Sequence, residues 1–344
     1  MVTREDVARK AGVSVSAVSR TLNERGYVAE EKKQAIIEAA RELGYRTSSV
    51  LTGNRQSKQL CFLNIDIYNP FYTQLFDAMC GQARQRGYVM YLMHNFDAKI
   101  ARTMVMDGMI TDSESSAFEV ERIVGEDFSF PVISASYGLP IINTKKIRYV
   151  DVDTFEAMEI GMEYLQKQGH KKIAYATPYA YGFNAVTIQS RNAAYEGMML
   201  PELGSKLRDY FLDPKDAATA QTNLSNVKSE MFYGDGMRSA DEFIKRKCDA
   251  TAIMCFNDQY ALGVIHRLIQ RNYRIPEDVS VMGIDGIDDR KWTRPLLTTV
   301  SMNIELLGQT CVNNLIDTIE GKKVKYITSI RPKLLKGNSV KYIG

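Results

Sequence analysis

Ala11-Gly12-Val13-Ser14-Val15-Ser16-Ala17-Val18-Ser19-Arg20-Thr21-Leu22-Asn23 is the most specific stretch of this 344-residue chain. Ala11 lets two helices approach closely, Gly12 supplies the tight turn, and Val13 and Val18 pin the corner. Ser16, Ser19, Arg20 and Asn23 then share one polar face at i, i+3, i+4 and i+7. A short helix with small polar side chains and one arginine outward suits a DNA major groove. There Arg reads guanine with two hydrogen bonds, and Ser donates or accepts. An ordinary solvated pair of helices would carry the same stripe, so the face has to be weighed with its surroundings.

Upstream, Thr3 and Asp6 have the spacing of a capping box ahead of Val7 and Ala8. Ser14 is placed to cap the second helix. A third helix is expected from about Ala29 to Leu43, with Gly44 at the left-handed C-cap position. A unit of residues 1–46 has little core of its own, which leaves its outer faces available. Residues 47–59 are polar apart from Val50-Leu51 and read as a hinge linker. Charge is distributed to match. The chain as a whole is net +3, but residues 1–60 hold 11 Lys/Arg against 7 Asp/Glu, leaving 33 against 34 for the rest. The positive excess therefore sits in the first sixth of the chain, headpiece and linker together, where a polyanion would be met.

From Leu60 onward the pattern alternates strand and helix. Strands are expected at Leu60–Asp66, Tyr88–Met93, Gly108–Ile110, Pro131–Ser136, Ile147–Asp153, Lys172–Thr177, Thr251–Phe256 and Val279–Ile284. Helices are expected at Phe71–Arg86, Phe155–Gln168, Asp258–Arg271 and Ile304–Ile319. Alternating βα units imply doubly wound parallel sheets, and this length exceeds one ordinary domain. The expected fold is an all-α helix-turn-helix headpiece followed by an α/β core of two lobes.

Several function classes are excluded. Five cysteines in no metal-binding spacing argue for reduced thiols and against a disulfide framework or a zinc site. The first residues hold no apolar run of signal-peptide type, and no segment reaches the ~18 apolar residues of a membrane span. A cytoplasmic protein without metal or cofactor is expected. No GxGxxG follows the first strand, and no GxxxxGK[ST], GxSxG or HExxH occurs. A glycosidase would need two facing carboxylates. Asp153 with Asp285 is the one pair that could pose as such, which keeps a cytoplasmic carbohydrate-active enzyme as a remote alternative.

Asp6-Val7-Ala8, the Ala11–Asn23 run and Glu42-Leu43-Gly44-Tyr45 resemble the headpiece of the LacI/GalR family of bacterial transcription repressors. The resemblance continues in order through the chain. It takes in Asn69-Pro70-Phe71-Tyr72, Val152-Asp153, Gln168-Gly169-His170-Lys171-Lys172-Ile173-Ala174 and Phe256-Asn257-Asp258-Gln259-Tyr260-Ala261-Leu262-Gly263. It ends with Ile275-Pro276-Glu277-Asp278-Val279-Ser280-Val281-Met282-Gly283-Ile284-Asp285 and Pro295-Leu296-Leu297-Thr298-Thr299-Val300. It implies a periplasmic-binding-protein-like core whose chain crosses between lobes three times. The lobes are expected at 60–153 plus 286–320 and at 154–285 plus 321–344. It also implies a homodimer on pseudo-palindromic operator DNA. Base reading falls to Val15, Ser16 and Arg20, with Thr3, Ser19 and Asn23 helping, and a minor-groove wedge falls to Leu51. The hinge is about two residues shorter than the family's, and Thr47-Ser48-Ser49 replaces its common Pro-Asn-Ala. These features resemble a branch of galactose and β-galactosidase operon regulators.

In the core, ligands of such sheets sit at the carboxyl ends of strands. A sugar needs an aromatic face and planar groups that grip adjacent hydroxyls. Phe71 and Tyr72, Asn257 and Asp285 occupy strand ends, although Phe71 would also serve as plain core and Asp285 as a turn before Gly286. Asp258 is expected to cap its helix. The resemblance adds Arg191 as a hydroxyl-gripping residue, Thr187 one turn earlier, and Asp153. The expected effector is a small carbohydrate, a galactoside or galactose, with a purine or a co-repressor design as the alternative.

Overall fold

The computed structural model describes residues 3–22, 26–43, 45, 57–64, 66–94, 96, 105–124, 130–138, 147–178, 186–213 and 230–344. Three short helices open the chain: α1 (Arg4–Ala11), α2 (Val15–Leu22) and α3 (Glu30–Glu42). Thr3 and Asp6 form the expected capping box, and Gly12 ends α1 in the left-handed region at φ 64°. Ser14 Oγ accepts from Ala17 N at 3.2 Å and so opens α2. Val7, Ala8, Ala17, Val18, Leu22, Ile36, Ala39 and Ala40 make a small core of their own. Gly44 and nearly all of the hinge fall outside the described residues.

The core is two six-stranded sheets. Its elements in chain order are β1 (Gln59–Leu63), α4 (Pro70–Gln85), β2 (Val89–Met93), β3 (Gly108–Thr111), α5 (Glu114–Val124), β4 (Val132–Ser136), β5 (Ile147–Val152), α6 (Thr154–Lys167) and β6 (Ile173–Ala176). These are followed by α7 (Val186–Leu203), β7 (Phe211–Leu212), α8 (Glu230–Lys245), β8 (Ala252–Cys255), α9 (Asp258–Gln270), β9 (Ser280–Asp285), β10 (Thr298–Ser301), α10 (Ile304–Ile319), β11 (Ile327–Ile330) and β12 (Lys333–Leu335). The first sheet runs β11-β5-β4-β3-β1-β2, wholly parallel; the second runs β12-β10-β9-β8-β6-β7, with only β12 antiparallel. Strands such as β3, β4, β8 and β9 are buried at every residue, as sheets covered by helices on both faces demand.

The chain does cross between lobes three times, but two crossings lie elsewhere than expected. After β5 it enters the second lobe through α6, as foreseen. It returns between β10 and α10, not after Asp285, because Thr298–Ser301 pairs with β9 as a further strand of the second sheet. It crosses again between β11 and β12, not after 320, because Ile327–Ile330 pairs with β5. Three helices absent from the sequence reading are α5, α7 and α8. Gly234 and Gly236 dilute the helical signal of α8. Gly236 is there because a Cβ would overlap the Tyr260 carbonyl, just as one on Gly263 of α9 would overlap that of Tyr233. The two helices cross backbone to backbone.

Candidate functional site

Two sites emerge, one on each part of the molecule. On α2, the register that buries Ala17, Val18 and Leu22 turns Val15, Ser16 and Arg20 outward, with Val15 43% exposed. Arg20 is exposed, and its Nε donates to Ser16 O at 3.3 Å. Ser19 is half-buried and accepts from Arg4 Nη1 at 3.5 Å. Thr3 is exposed, but its hydroxyl is engaged in the capping box, donating to Asp6 Oδ2 at 2.8 Å. Those bonds hold the Asp6 carboxyl below its ordinary range. Asn23 and Leu51 lie outside the described residues.

The second site is a cleft of about 260 Å³ where the strand ends of the two lobes meet. The first lobe contributes Asp66 beyond β1, Asn69, Phe71 and Tyr72 at the start of α4, Ser113, Glu114 and Ser115 beyond β3, and Tyr137 beyond β4. The second contributes Thr154 on α6, Arg191 on α7, Phe232 on α8, Phe256 and Asn257 beyond β8, and Asp285 at the end of β9; Met302 lies on the crossing to α10. The carboxyl ends of parallel strands supply this lining because the connecting loops converge there.

Phe71, Tyr72 and Tyr137 pack edge to face, with ring centroids 5.3, 5.5 and 6.3 Å apart. Phe71 is part of the buried core as well as the cleft lining. Across the cleft, Phe232 and Phe256 stand 5.8 Å apart, and the Arg191 guanidinium lies 4.4 Å over the Phe256 ring. Arg191 is buried; its Nη1 donates to Phe256 O at 2.8 Å, while its Nε has no partner among the described residues. The Tyr137 hydroxyl is likewise buried without one.

Asp285 is held at φ 126°, a region that favours glycine and costs a side-chain-bearing residue roughly 1–3 kcal/mol. Three contacts fix it there. Asp258 Oδ2 accepts from Gly286 N and Ile287 N at 2.8 and 2.9 Å, and Met302 N donates to Asp285 O at 3.0 Å. The turn expected at Asp285 is thus the device that aims its carboxylate at the cleft. Burial pushes the Asp285 carboxyl well above its ordinary range, against the pull of Arg191 and with the push of Asp258. Burial raises Glu114 too, despite hydrogen bonds from Ser136 Oγ and Tyr137 N.

Of the expected effector contacts, the cleft brings together Phe71, Tyr72, Arg191, Asn257 and Asp285. Asp153 does not join them. It is exposed, and its Oδ1 accepts from Phe155 N at 2.8 Å and Glu156 N at 3.3 Å, because an aspartate one residue before a helix is drawn to that helix's free N–H groups. Its neighbour Thr154 faces the cleft instead. Thr187 falls on α7, and its side chain lies outside the described residues. The expected cap by Asp258 is corrected as well: Asn257 caps α9, accepting from Tyr260 N at 2.8 Å, and Asp258 ties down the 286–287 turn. Asp66, Asn69, Ser113, Glu114, Ser115, Tyr137, Phe232, Phe256 and Met302 complete the lining. Glu114 and Phe232 sit at the start of helices the sequence reading missed. Tyr137 follows an expected strand and was within reach of the strand-end rule.

A helical domain with an outward reading face, joined to a two-lobed core with a cleft at its strand ends, defines a DNA-binding transcriptional regulator. The family described as bacterial regulatory proteins, lacI family, matches residues 3–48, and that described as periplasmic binding protein-like domain matches residues 162–340. The chain belongs to the LacI family, whose members are regulators of transcription and not enzymes. It is 27% identical over 361 residues to the HTH-type transcriptional repressor PurR of Mannheimia succiniciproducens, covering 100% of both chains. Among solved structures, the complex of the transcriptional regulator CelR with cellobiose is similar at TM-score 0.65 and 21% identity, covering 98% of this chain and 100% of that one. The Lac repressor dimer bound to operator and the anti-inducer ONPF is similar at TM-score 0.63 and 22% identity, covering 99% of each. Among the described residues no helix is long and apolar enough to cross a membrane.

Proposed function

We propose that this chain is a homodimeric, cytoplasmic repressor of a carbohydrate-utilisation operon, and that a small sugar in the cleft sets its operator affinity. The observation that carries the reading is that Arg191 and Asp285 line one cleft with the Phe71–Tyr72–Tyr137 cluster. Arg191, with an unpartnered Nε donor, and Asp285, with its carboxyl, both line the cleft and match the donor and acceptor needs of neighbouring hydroxyls, while the rings cover a sugar's C–H face. The likeness to a regulator solved with cellobiose is in keeping with a sugar as the occupant. The short hinge with Thr47-Ser48-Ser49 makes galactose and galactosides the first sugars to try.

On the DNA side, residues 1–46 act as the reading headpiece, with Val15, Ser16 and Arg20 on base edges and Thr3, Ser19 and Asn23 assisting. Residues 47–59 act as the hinge, with Leu51 as the wedge. Two-fold symmetry calls for a pseudo-palindromic site with half-sites ~34–36 Å apart for adjacent turns. The sugar acts only through its preference between lobe arrangements, so a hundredfold change in operator affinity needs about 2.7 kcal/mol of differential binding. A purine is the competing occupant, favoured by the aromatic rings that each lobe contributes to the cleft lining. The test is a thermal-shift screen of mono- and disaccharides and adenine, with and without DNA from upstream of the gene. A sugar whose shift depends on the DNA supports the proposal; a response to adenine alone transfers it to the purine.

A further inference from the structure

The three backbone N–H groups that follow Asp285 are all taken by side chains. Asp258 Oδ2 accepts the first two, from Gly286 and Ile287, at 2.8 and 2.9 Å. The third belongs to Asp288, which opens a short 3-10 helix (Asp288–Trp292) whose preceding residue, Ile287, makes no side-chain cap. That N–H reaches across to the other lobe and donates to Gln74 Oε1 at 3.1 Å.

Gln74 lies half-buried on α4, one turn after Phe71 and two residues after Tyr72, which line the first-lobe side of the cleft. It is not itself among the lining residues. On its other side the Asp285 carbonyl accepts from Met302 N, on the second crossing. The turn that holds Asp285 at φ 126° is therefore closed in part from outside its own lobe.

A hydrogen bond beside a crossing changes little when lobes rotate. Thr154 Oγ1, which donates to Tyr137 O at 2.8 Å next to the first crossing, is of that kind. Gln74 and Asp288 belong to no crossing segment, so the bond between them depends on the angle between the lobes.

We propose, resting on the reading of the cleft as the effector site, that Gln74 is a positioning residue for Asp285. It completes the Asp285 turn only in the lobe arrangement that brings α4 to Asp288. An effector that hydrogen-bonds Asp285 then finds that contact preorganised in one arrangement and looser in the other. That supplies the unequal affinity which any shift of operator binding requires.

The bond can be removed from either end. Gln74→Met keeps the length of the side chain and loses the acceptor. Asp288→Pro loses the donor at the first position of a helix, where proline is tolerated, after a residue already at φ −67° and ψ 153°. Asp288→Ala keeps the N–H and loses only the exposed ion pair with Lys291, so it is the control.

The experiment is isothermal titration of the full chain with galactose, lactose, glucose, cellobiose, ribose and adenine, paired with operator binding in the presence of each. For the probe that binds, Gln74→Met and Asp288→Pro should each weaken binding about threefold and shrink the probe-induced change in operator affinity by about the same factor. The double variant should lose no more than either single one, and Asp288→Ala should match wild type. A lowered thermal midpoint with unchanged probe affinity would make Gln74 merely structural and overturn the inference, leaving the sugar reading intact. Losses that multiply in the double variant overturn it too, because two residues joined by one bond cannot act independently. If adenine is the only probe that binds, the sugar reading fails, while a shared threefold loss for adenine still upholds the role of Gln74.

Discussion

The Asp107 carboxylate anchors Ser57 at the point where the chain enters the core: its Oδ1 accepts from both Ser57 N and Ser57 Oγ at 2.8 Å. Its Oδ2 accepts from Lys58 N, also at 2.8 Å. Asp107 N in turn donates to Gln59 O at 2.8 Å, and the Lys58 ammonium sits 4.2 Å from the Tyr88 ring. The end of the linker is thereby tied to the first lobe through a side chain fifty residues away. Asp107→Ala should leave ligand affinity in the cleft within about twofold of wild type, yet reduce the ligand-induced change in operator affinity by about tenfold. Titrating ligand and operator separately on the same preparation distinguishes the two.

Arg20 stands on the outward face of α2 with its side chain exposed. Arg20→Ala should cost about 1–3 kcal/mol of operator binding and relax the preference at one base position. Binding to a set of operators varied one base at a time is the check; equal losses on every duplex would mean that Arg20 meets only phosphate.

The helix-turn-helix was readable because its signals are local: a cap, a glycine turn and a periodic apolar face within twenty residues. The βα rhythm of the core was readable for the same reason. The second and third lobe crossings were not, since β10 and β11 are four-residue strands whose membership is fixed by pairing with β9 and β5 and not by their own composition. Helix α8 was hidden by Gly234 and Gly236, the second of which tertiary contact requires. In the cleft, residues at strand ends were legible, whereas Asp153 shows that one position of slippage, from Asp153 to Thr154, exchanges a place in the cleft lining for a helix cap.

Gly263 and Gly236 allow α8 and α9 to touch through their backbones, whereas a Cβ on Gly81 of α4 would meet nothing within 4 Å. Gly263→Ala should therefore destabilise the protein by about 1–3 kcal/mol despite alanine's better helix propensity. Gly81→Ala should stabilise it by up to about 1 kcal/mol. Urea unfolding of the two variants side by side tests the contrast.

Asp151 is buried below the first-lobe sheet end, accepting from Gly138 N at 3.2 Å. Burial pushes its carboxyl up to about 6, opposed by hydrogen bonding from Ser136 and Gly138 and helped by the nearby Glu114 charge. Its folded value thus lies above the unfolded one, so its contribution to stability is full below about pH 4 and is lost as pH rises through 6. Asp151→Asn lacks this loss. Its unfolding free energy relative to wild type should climb by up to about 3 kcal/mol between pH 3.5 and 7.5 and then level off. A pH-independent difference would place the titration elsewhere.

The central claim is that occupancy of the cleft is reported at the outward face of α2. The most direct measurement is fluorescence anisotropy of the full chain on labelled upstream operator and on a scrambled duplex at about 150 mM salt, with and without the sugar found by screening. Wild type should bind operator at least a hundredfold more tightly than the scrambled duplex and should shift that affinity when the sugar is added. Asp285→Ala should bind operator as wild type does and ignore the sugar. Equal affinity for both duplexes, or an Asp285→Ala protein that responds at the same sugar concentration as wild type, would contradict the account.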